Sequence, residues 1–201
     1  MDITVTNIVV NGNLDQEIDC PSLQTLFDDT DGFEAEYFDM PLQSLEVYPQ
    51  KDNTADTINV YRSGKYKITG NKKDLLQNTN KEFLKVLYNN EIIESPDNVE
   101  FAVHNIVVNF DRDESVNLDT FYTQYQSLSS YNSESFPAVT VSKDLYTANV
   151  FSTGTVTLMG VSDKKQLKKA FEDINSMIDN IETGTDTTDG IPAQFQGDTN
   201  E

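Results

Sequence analysis

The chain has 201 residues and carries 34 acidic against 14 basic side chains, a formal net charge of −20 at pH 7. This charge argues against loose, long-range attraction to nucleic acid or anionic lipid, and it fits a protein kept soluble in concentrated salt, where charges are screened over about 3 Å at 1 M. The single cysteine excludes an intramolecular disulfide and a cysteine-rich zinc or cluster site, and the absence of any run of 18 apolar residues predicts no membrane span.

The first half of the chain begins with a strand pattern. Residues 3–10 alternate in polarity, which predicts a strand whose odd-numbered residues, Ile3, Val5, Asn7 and Val9, share one face. An apolar cluster at 23–27 predicts a short helix. A long amphipathic helix that includes Phe83 and Leu87 closes this half. Between the two helices, strands are expected at 44–49, 56–62 and 65–70.

The second half has the same order of patterns. An opening strand precedes a helical segment whose apolar residues, between Leu118 and Leu128, are three or four positions apart. A closing helix is predicted with Ser162 as its N-cap and an apolar stripe from Leu167 to Ile181. Strands are expected between the two helices at 136–142, 145–152 and 155–160.

Two segments of sequence recur in the same order, which indicates an internal duplication. The hexapeptide TNIVVN at 6–11 returns as HNIVVN at 104–109, and YRSG at 61–64 returns as FSTG at 151–154. We therefore expect a first repeat at 1–98 and a second at 99–182. The remaining residues, 183–201, have no apolar periodicity and are predicted to be a disordered acidic tail.

The order of elements predicts an α+β fold. Helices pack on one face of each antiparallel sheet, and the other face is left open. An open face built from two duplicated halves is a binding surface by its geometry. The N-terminus has no basic segment followed by an apolar stretch, so we expect a reduced cytoplasm as the compartment.

The duplicated motifs resemble those of TATA-box-binding proteins, and the acidic composition resembles that of haloarchaeal members. The resemblance covers about residues 3–182 and rests on segments that recur in order: Asn-Ile-Val at 7–9 and 105–107, Phe-Pro-Ala-Val at 136–139, and the Ser-Gly and Thr-Gly turns at 63–64 and 153–154. It implies a pseudo-two-fold saddle, with a curved antiparallel sheet backed by two long and two short helices. The family's concave face lies along the DNA minor groove and bends the duplex with apolar wedges.

This resemblance implies a set of DNA-binding residues. Asparagine amides donate to the acceptors that A·T pairs present in the minor groove, and neighbouring valines exclude water and the guanine amino group. In the second repeat both family wedges are phenylalanines, whereas the first repeat has methionine and tyrosine at those positions. The DNA-binding set is Asn7, Val9, Met40, Tyr61, Lys65, Thr69, Asn105, Val107, Phe136 and Phe151.

Several positions depart from the family pattern. Thr155 and Ser142 replace basic residues, Met159 replaces a threonine, and Asn59, Lys67 and Asn149 stand where the family is usually apolar. Phosphate neutralisation is therefore expected to be weak and lopsided. Eight of the 14 basic residues fall on the predicted long helices or at their starts: Lys72, Lys73, Lys81, Lys85, Lys164, Lys165, Lys168 and Lys169.

Two surfaces are candidates for partners. Glu134, in the turn at 130–135, resembles one acidic position of the loop that the family offers to transcription factor B. Lys164, Lys165, Lys168 and Lys169 form either a solvated helix face beside Glu172 and Asp173, or a basic patch for an acidic regulator.

Catalysis has little support in the sequence. His104 is the only histidine, no Gly-x-Ser-x-Gly or glycine-rich phosphate loop is present, and the acidic residues at 28–31 are expected to form a solvated loop rather than a metal site. We expect no enzyme activity, cofactor or metal.

Two functions remain open from the sequence. The first is a general initiation factor that binds and bends A·T-rich promoter DNA and recruits transcription factor B. The second is a protein-interaction module that kept the fold, lost DNA binding and regulates transcription by binding or titrating partners.

Overall fold

A computed structural model describes residues 3–52 and 54–182, which form one ten-stranded antiparallel sheet and four α-helices. The first half contains β1 (Ile3–Asn13), α1 (Cys20–Asp28), β2 (Phe33–Phe38), β3 (Ser44–Pro49), β4 (Thr57–Tyr61), β5 (Lys65–Gly70) and α2 (Lys73–Asn89). The second half contains β6 (Glu100–Asp111), α3 (Leu118–Gln124), β7 (Ser129–Ser130), β8 (Ala138–Ser142), β9 (Thr147–Phe151), β10 (Thr155–Val161) and α4 (Lys164–Glu182). The predicted tail at 183–201 lies outside the described residues.

The strand order is symmetric about the centre of the sheet. It runs β2-β3-β4-β5-β1-β6-β10-β9-β8-β7, so that the opening strands of the two halves pair with each other. This arrangement confirms the predicted α+β fold class. The repeat boundaries at 98 and 182 stay a prediction, although each half contributes the same sequence of elements. None of the helices in the described part of the chain is long and apolar enough to cross a membrane.

All four helices pack on one face of the sheet, because the apolar residues of each strand alternate and face the same side. The first half's core surrounds Phe83 of α2, which is fully buried against Phe27 of α1 and Tyr66 of β5. The second half's core is built in the same way around Ile174 of α4 and Phe121 of α3. The opposite face carries the alternate residues of every strand and is left open.

Two bulges interrupt the central strand pair and correct the predicted faces of β1. The register shifts at Thr6 on β1 and at His104 on β6, so each strand has one extra residue there. Ile3 therefore pairs with Phe110, and Val5 pairs with Val108, both of which are core residues. The prediction that Ile3 and Val5 share a face with Asn7 and Val9 is wrong, because one bulged residue reverses the alternation.

The hairpin turn between β4 and β5 requires glycine, as does the matching turn between β9 and β10. Gly64 has φ +79°, and a Cβ there would lie 2.0 Å from the Gln16 carbonyl oxygen. Gly154 has φ +91° and the same close approach to the Glu114 carbonyl oxygen. The recurrence of the Ser-Gly and Thr-Gly turns is thus explained by backbone conformation and by contact with a neighbouring loop.

The closing helix begins differently from the prediction. α4 starts at Lys164, and the Asp163 carboxylate accepts hydrogen bonds from the backbone N–H groups of Lys165 and Gln166 at 2.8 Å. Asp163 is therefore the N-cap, and Ser162 instead bonds to the Gln166 side chain. An aspartate suits this position because its charge complements the helix dipole.

Candidate nucleic-acid interface

The centre of the open face carries two Asn-Val pairs related by symmetry. Asn7 pairs across the strands with Val107, and Val9 pairs with Asn105, while Ile8 pairs with Ile106 between them. The pseudo-two-fold axis therefore passes through the Ile8–Ile106 pair. The structure brings Asn7, Val9, Asn105 and Val107 together on one half-buried patch.

The side chain of Asn105 is held in one orientation. Its Oδ1 accepts a hydrogen bond from the Gly160 backbone N–H at 2.8 Å, where the β6–β10 register is interrupted. The amide N–H groups of Asn105 are therefore the part available to a ligand. They can donate to acceptors such as adenine N3 or thymine O2.

The second half presents its two phenylalanines together at one end of the open face. Phe136 lies in the loop before β8 and is 41% exposed, and Phe151 ends β9. Their ring centroids are 5.9 Å apart in an edge-to-face arrangement. The Asn132 backbone carbonyl accepts from the Phe136 and Ser135 N–H groups, which fixes the loop that carries Phe136.

The first half has an equivalent apolar group with different chemistry. Met40 is 78% exposed in the loop between β2 and β3, and Tyr61 ends β4 beside it. Leu42 is 68% exposed and was not predicted. Leu42 lies two residues before Ser44, the strand partner of Tyr61, just as Phe136 lies two residues before Ala138, the partner of Phe151.

These side chains border an open pocket of about 680 Å³ at the first-half end of the face, which also includes Lys65 and Lys67. The segment between Met40-Pro41 and its strand is two residues longer than the one after Phe136-Pro137, and both Met40 and Leu42 are largely exposed. Leu42 is identified as the equivalent of Phe136 by the pairing of the strands, which cannot be read from the sequence alone.

The basic residues of the open face are concentrated in the first half. Lys65 and Lys67 lie on β5 beside Thr69, which pairs with Val9 at the centre. The Lys67 ammonium lies 5.6 Å from the centroid of the Tyr61 ring, a distance suited to a cation–π contact. In the second half, threonines occupy the positions that correspond to the two lysines.

The outer strands of the first half carry acidic groups on the same face. Glu36 and Glu46 are direct cross-strand partners on β2 and β3. The Tyr48 hydroxyl donates to the Glu46 carboxylate, and this hydrogen bond, with burial, raises the pKa of Tyr48 to about 12. The negative charge at this edge opposes contact with phosphate groups.

The proposed partner residues lie away from the open face's centre. Glu134 is exposed in the loop before β8, and its backbone N–H donates to Asn132 Oδ1. Lys168 forms an exposed ion pair with Glu172 at 3.7 Å, but Asp173 binds Lys143 instead. The other three lysines of the α4 cluster, Lys164, Lys165 and Lys169, are exposed in the first half of the helix.

The sequence and the fold are both similar to those of known proteins. Residues 100–181 match the family model described as transcription factor TFIID, or TATA-binding protein. The chain is 29% identical over 185 residues to TATA-box-binding protein C of Halobacterium salinarum, covering 90% of this chain and 99% of that protein. Its fold is similar to that of Methanococcus jannaschii TBP, with a TM-score of 0.73, 23% identity, and coverage of 90% of this chain and 99% of that one.

The chain is therefore similar to TATA-binding proteins in sequence and in fold, and the saddle fold that the resemblance implied is confirmed.

Proposed function

We propose that the protein binds the minor groove of A·T-rich promoter DNA with its open, concave face and bends the duplex. The observation that carries the proposal is the central patch, in which two asparagines and two valines surround the pseudo-two-fold axis. An amide donor and an apolar neighbour on each side suit the acceptors of A·T pairs and exclude the guanine amino group.

Bending is proposed to come from the exposed apolar groups at the two ends of the face. Phe136 and Phe151 are positioned to insert between bases at one end, and Met40, Leu42 and Tyr61 at the other. Unstacking a base step costs a few kcal/mol, which burial of a ring of this size offsets. Such contacts are apolar, so high salt does not weaken them.

Recruitment of transcription factor B is proposed through the exposed loop that carries Glu134, and docking of an acidic regulator through Lys164, Lys165, Lys168 and Lys169. The hydrogen bonds around Asn132 support the first part, because they fix the loop's shape before a partner arrives. The proposed DNA binding corresponds to a cytoplasmic protein associated with the nucleoid.

A protein-interaction module without DNA binding is the second candidate. The acidic pair Glu36 and Glu46 on the open face favours it, as does the absence of lysines from the second-half positions that match Lys65 and Lys67. In this alternative the protein binds or titrates transcription factor B.

A titration decides between the two functions. Fluorescence anisotropy with a TATA duplex, from 0.1 M to about 2 M KCl, should show saturable binding that the double variant Asn105→Ala/Phe151→Ala abolishes. The matched control, Asn78→Ala/Tyr88→Ala on exposed α2 positions, should bind like the wild type. Failure of the wild type to bind at any salt, with transcription factor B still captured, would establish the second function.

A further inference from the structure

Beyond the centre, two symmetric rows of polar residues cross the open face between the Asn-Val pairs and the apolar ends. The first flanking row runs from strand to strand through Glu46, Asn59, Lys67 and Asn11. The second flanking row runs through Thr140, Asn149, Thr157 and Asn109. Asparagines occupy matching places in both rows, so the flanking steps are lined by amides.

Three of the four asparagines in these rows have a side-chain carbonyl that is either hydrogen-bonded or buried. Asn149 Oδ1 accepts a hydrogen bond from the Thr140 hydroxyl at 2.9 Å. Asn11 Oδ1 and Asn109 Oδ1 are buried without a hydrogen-bond partner, and the two residues are symmetry equivalents. The amide nitrogens of these three asparagines are not among the buried polar atoms without a partner, and no bond within the described chain uses them.

This arrangement leaves N–H donors at the surface of a half-buried floor. Burying a carbonyl oxygen without a partner is unfavourable, so its occurrence at two equivalent positions indicates that the outward amide has a use. Lys67 adds an ammonium group, which also only donates. The minor-groove edges of A·T pairs present only acceptors, whereas guanine adds a donor that an N–H group repels.

We infer that Asn11, Asn109 and Asn149 hydrogen-bond to base acceptors at the steps flanking the centre, and thereby select A·T pairs there. This inference rests on the proposed binding of the minor groove. It differs from readout by apolar packing, because each amide contributes a directed hydrogen bond. Guanine at these steps is rejected by donor–donor repulsion as well as by its bulk.

A double-mutant cycle tests the inference at Asn149 by removing the asparagine side chain and the base acceptor, first separately and then together. The duplex is a TATA site in which single adenines are replaced, one position at a time, by 3-deazaadenine, which lacks the N3 acceptor. Wild-type protein should lose about fivefold to tenfold in affinity at one flanking position. Asn149→Leu should bind the unmodified duplex about as weakly, and should lose nothing further at that position.

Asn78→Leu, at an exposed position of α2, is the matched control. It should bind the unmodified duplex with wild-type affinity and should lose as much affinity as the wild type on the 3-deazaadenine duplex. Asn149→Ala provides a smaller change if the leucine variant melts early. A second arm compares guanine with inosine, which lacks the amino group, opposite cytosine at the same position. Inosine should bind within about twofold of adenine, and guanine about tenfold or more weakly.

Two results would overturn the inference, and they are distinguishable. If the wild type binds the TATA duplex but Asn149→Leu binds equally well or more tightly, packing reads the flanking steps and only this inference fails. If the wild type does not bind the duplex at all, the proposed function fails with it.

Discussion

Asn105 is the residue whose chemistry at the centre is most constrained, because its carbonyl is already bonded to the Gly160 N–H. Asn105→Asp keeps an oxygen for that bond but replaces the amide donor with a second carboxylate oxygen. We expect affinity for a TATA duplex to fall by about two orders of magnitude, since a charge then faces the groove acceptors without a partner. Anisotropy titrations would measure this loss.

The thermal stability of Asn105→Asp should stay close to that of the wild type, because the bond to Gly160 is preserved. Asn78→Asp on the exposed face of α2 adds the same charge elsewhere and should leave DNA affinity within about twofold. Equal losses in both variants would mean that net charge, rather than the donor at position 105, controls binding.

Tyr61 ends β4 where the second half has Phe151, and its hydroxyl needs a polar partner if the ring enters a base step. Tyr61→Phe removes this requirement and keeps the ring and its contact with Lys67. We expect bending, measured by fluorescence energy transfer across the duplex, to increase and affinity to rise about threefold.

A loss of affinity in Tyr61→Phe would instead indicate that the hydroxyl binds a phosphate or a base edge. Tyr88→Phe on α2 is the matched control, because Tyr88 is 49% exposed on the helix side and should not affect either readout.

The elements of the chain differ in how far the sequence could predict them. Periodicity alone predicts the apolar stripe of α4. The structure confirms it, because Ala170, Ile174 and Ile178 are fully buried. The alternation of Phe33, Ala35 and Tyr37 is a strand pattern of the same kind, and it corresponds to β2 in the structure. These patterns depend on one segment and its burial.

Features that depend on a partner strand were not predictable. The faces of Ile3 and Val5 follow from the bulge at Thr6, which exists only because β1 pairs with β6. Leu42 is identified as part of the apolar end by its position relative to the Ser44–Tyr61 pair. The register between two strands is set by their tertiary contacts, so the sequence of one segment does not reveal it.

The α4 helix is fastened to the sheet by a charged group with a shifted pKa. The Asp173 carboxylate accepts from Lys143 Nζ at 2.6 Å and from the Tyr146 hydroxyl at 2.8 Å. Burial alone would raise the pKa of Asp173, but these two hydrogen bonds outweigh it and hold the pKa below its ordinary value. The ionised carboxylate therefore stabilises the folded state at neutral pH, and this contribution is lost as the pH falls through the lowered pKa of the folded state.

Asp173→Asn should lower the melting temperature by about 2–4 °C at pH 7, the shift that corresponds to a loss of about 1 kcal/mol. The difference between variant and wild type should shrink as the pH falls through the lowered pKa of Asp173, where the wild-type carboxylate becomes protonated. Thermal melts across pH 2.5–7 would show this convergence. Glu172→Gln, which breaks only the exposed pair with Lys168, should change stability little at any pH.

At the scale of the whole molecule, the open face has few basic side chains for contact with phosphate groups. The net charge is −20, yet basic side chains on the open face are confined to β5 and its neighbouring turn, at Arg62, Lys65 and Lys67. Arg62 already forms an exposed ion pair, in which its guanidinium nitrogen lies 3.6 Å from the Glu17 carboxylate oxygen. The proposed binding of a duplex would therefore release few counterions.

We expect the logarithm of the binding constant to fall with the logarithm of the KCl concentration with a slope no steeper than about −3, one unit for each of three phosphate contacts. Lys65→Gln/Lys67→Gln should make the slope shallower still, by about two units. The matched control, Lys81→Gln/Lys85→Gln on α2, should leave it unchanged. A slope near −8 would show that phosphate contacts dominate after all.

The two ends of the saddle are unequal although the backbone is symmetric. Lysines, methionine, leucine and tyrosine lie at one end, and threonines and two phenylalanines lie at the other. A duplex laid across the face would meet these ends in one of two directions, with different energies. The chemical difference between the two ends would then favour one orientation of the protein on a promoter. This orientation would bias which strand is transcribed.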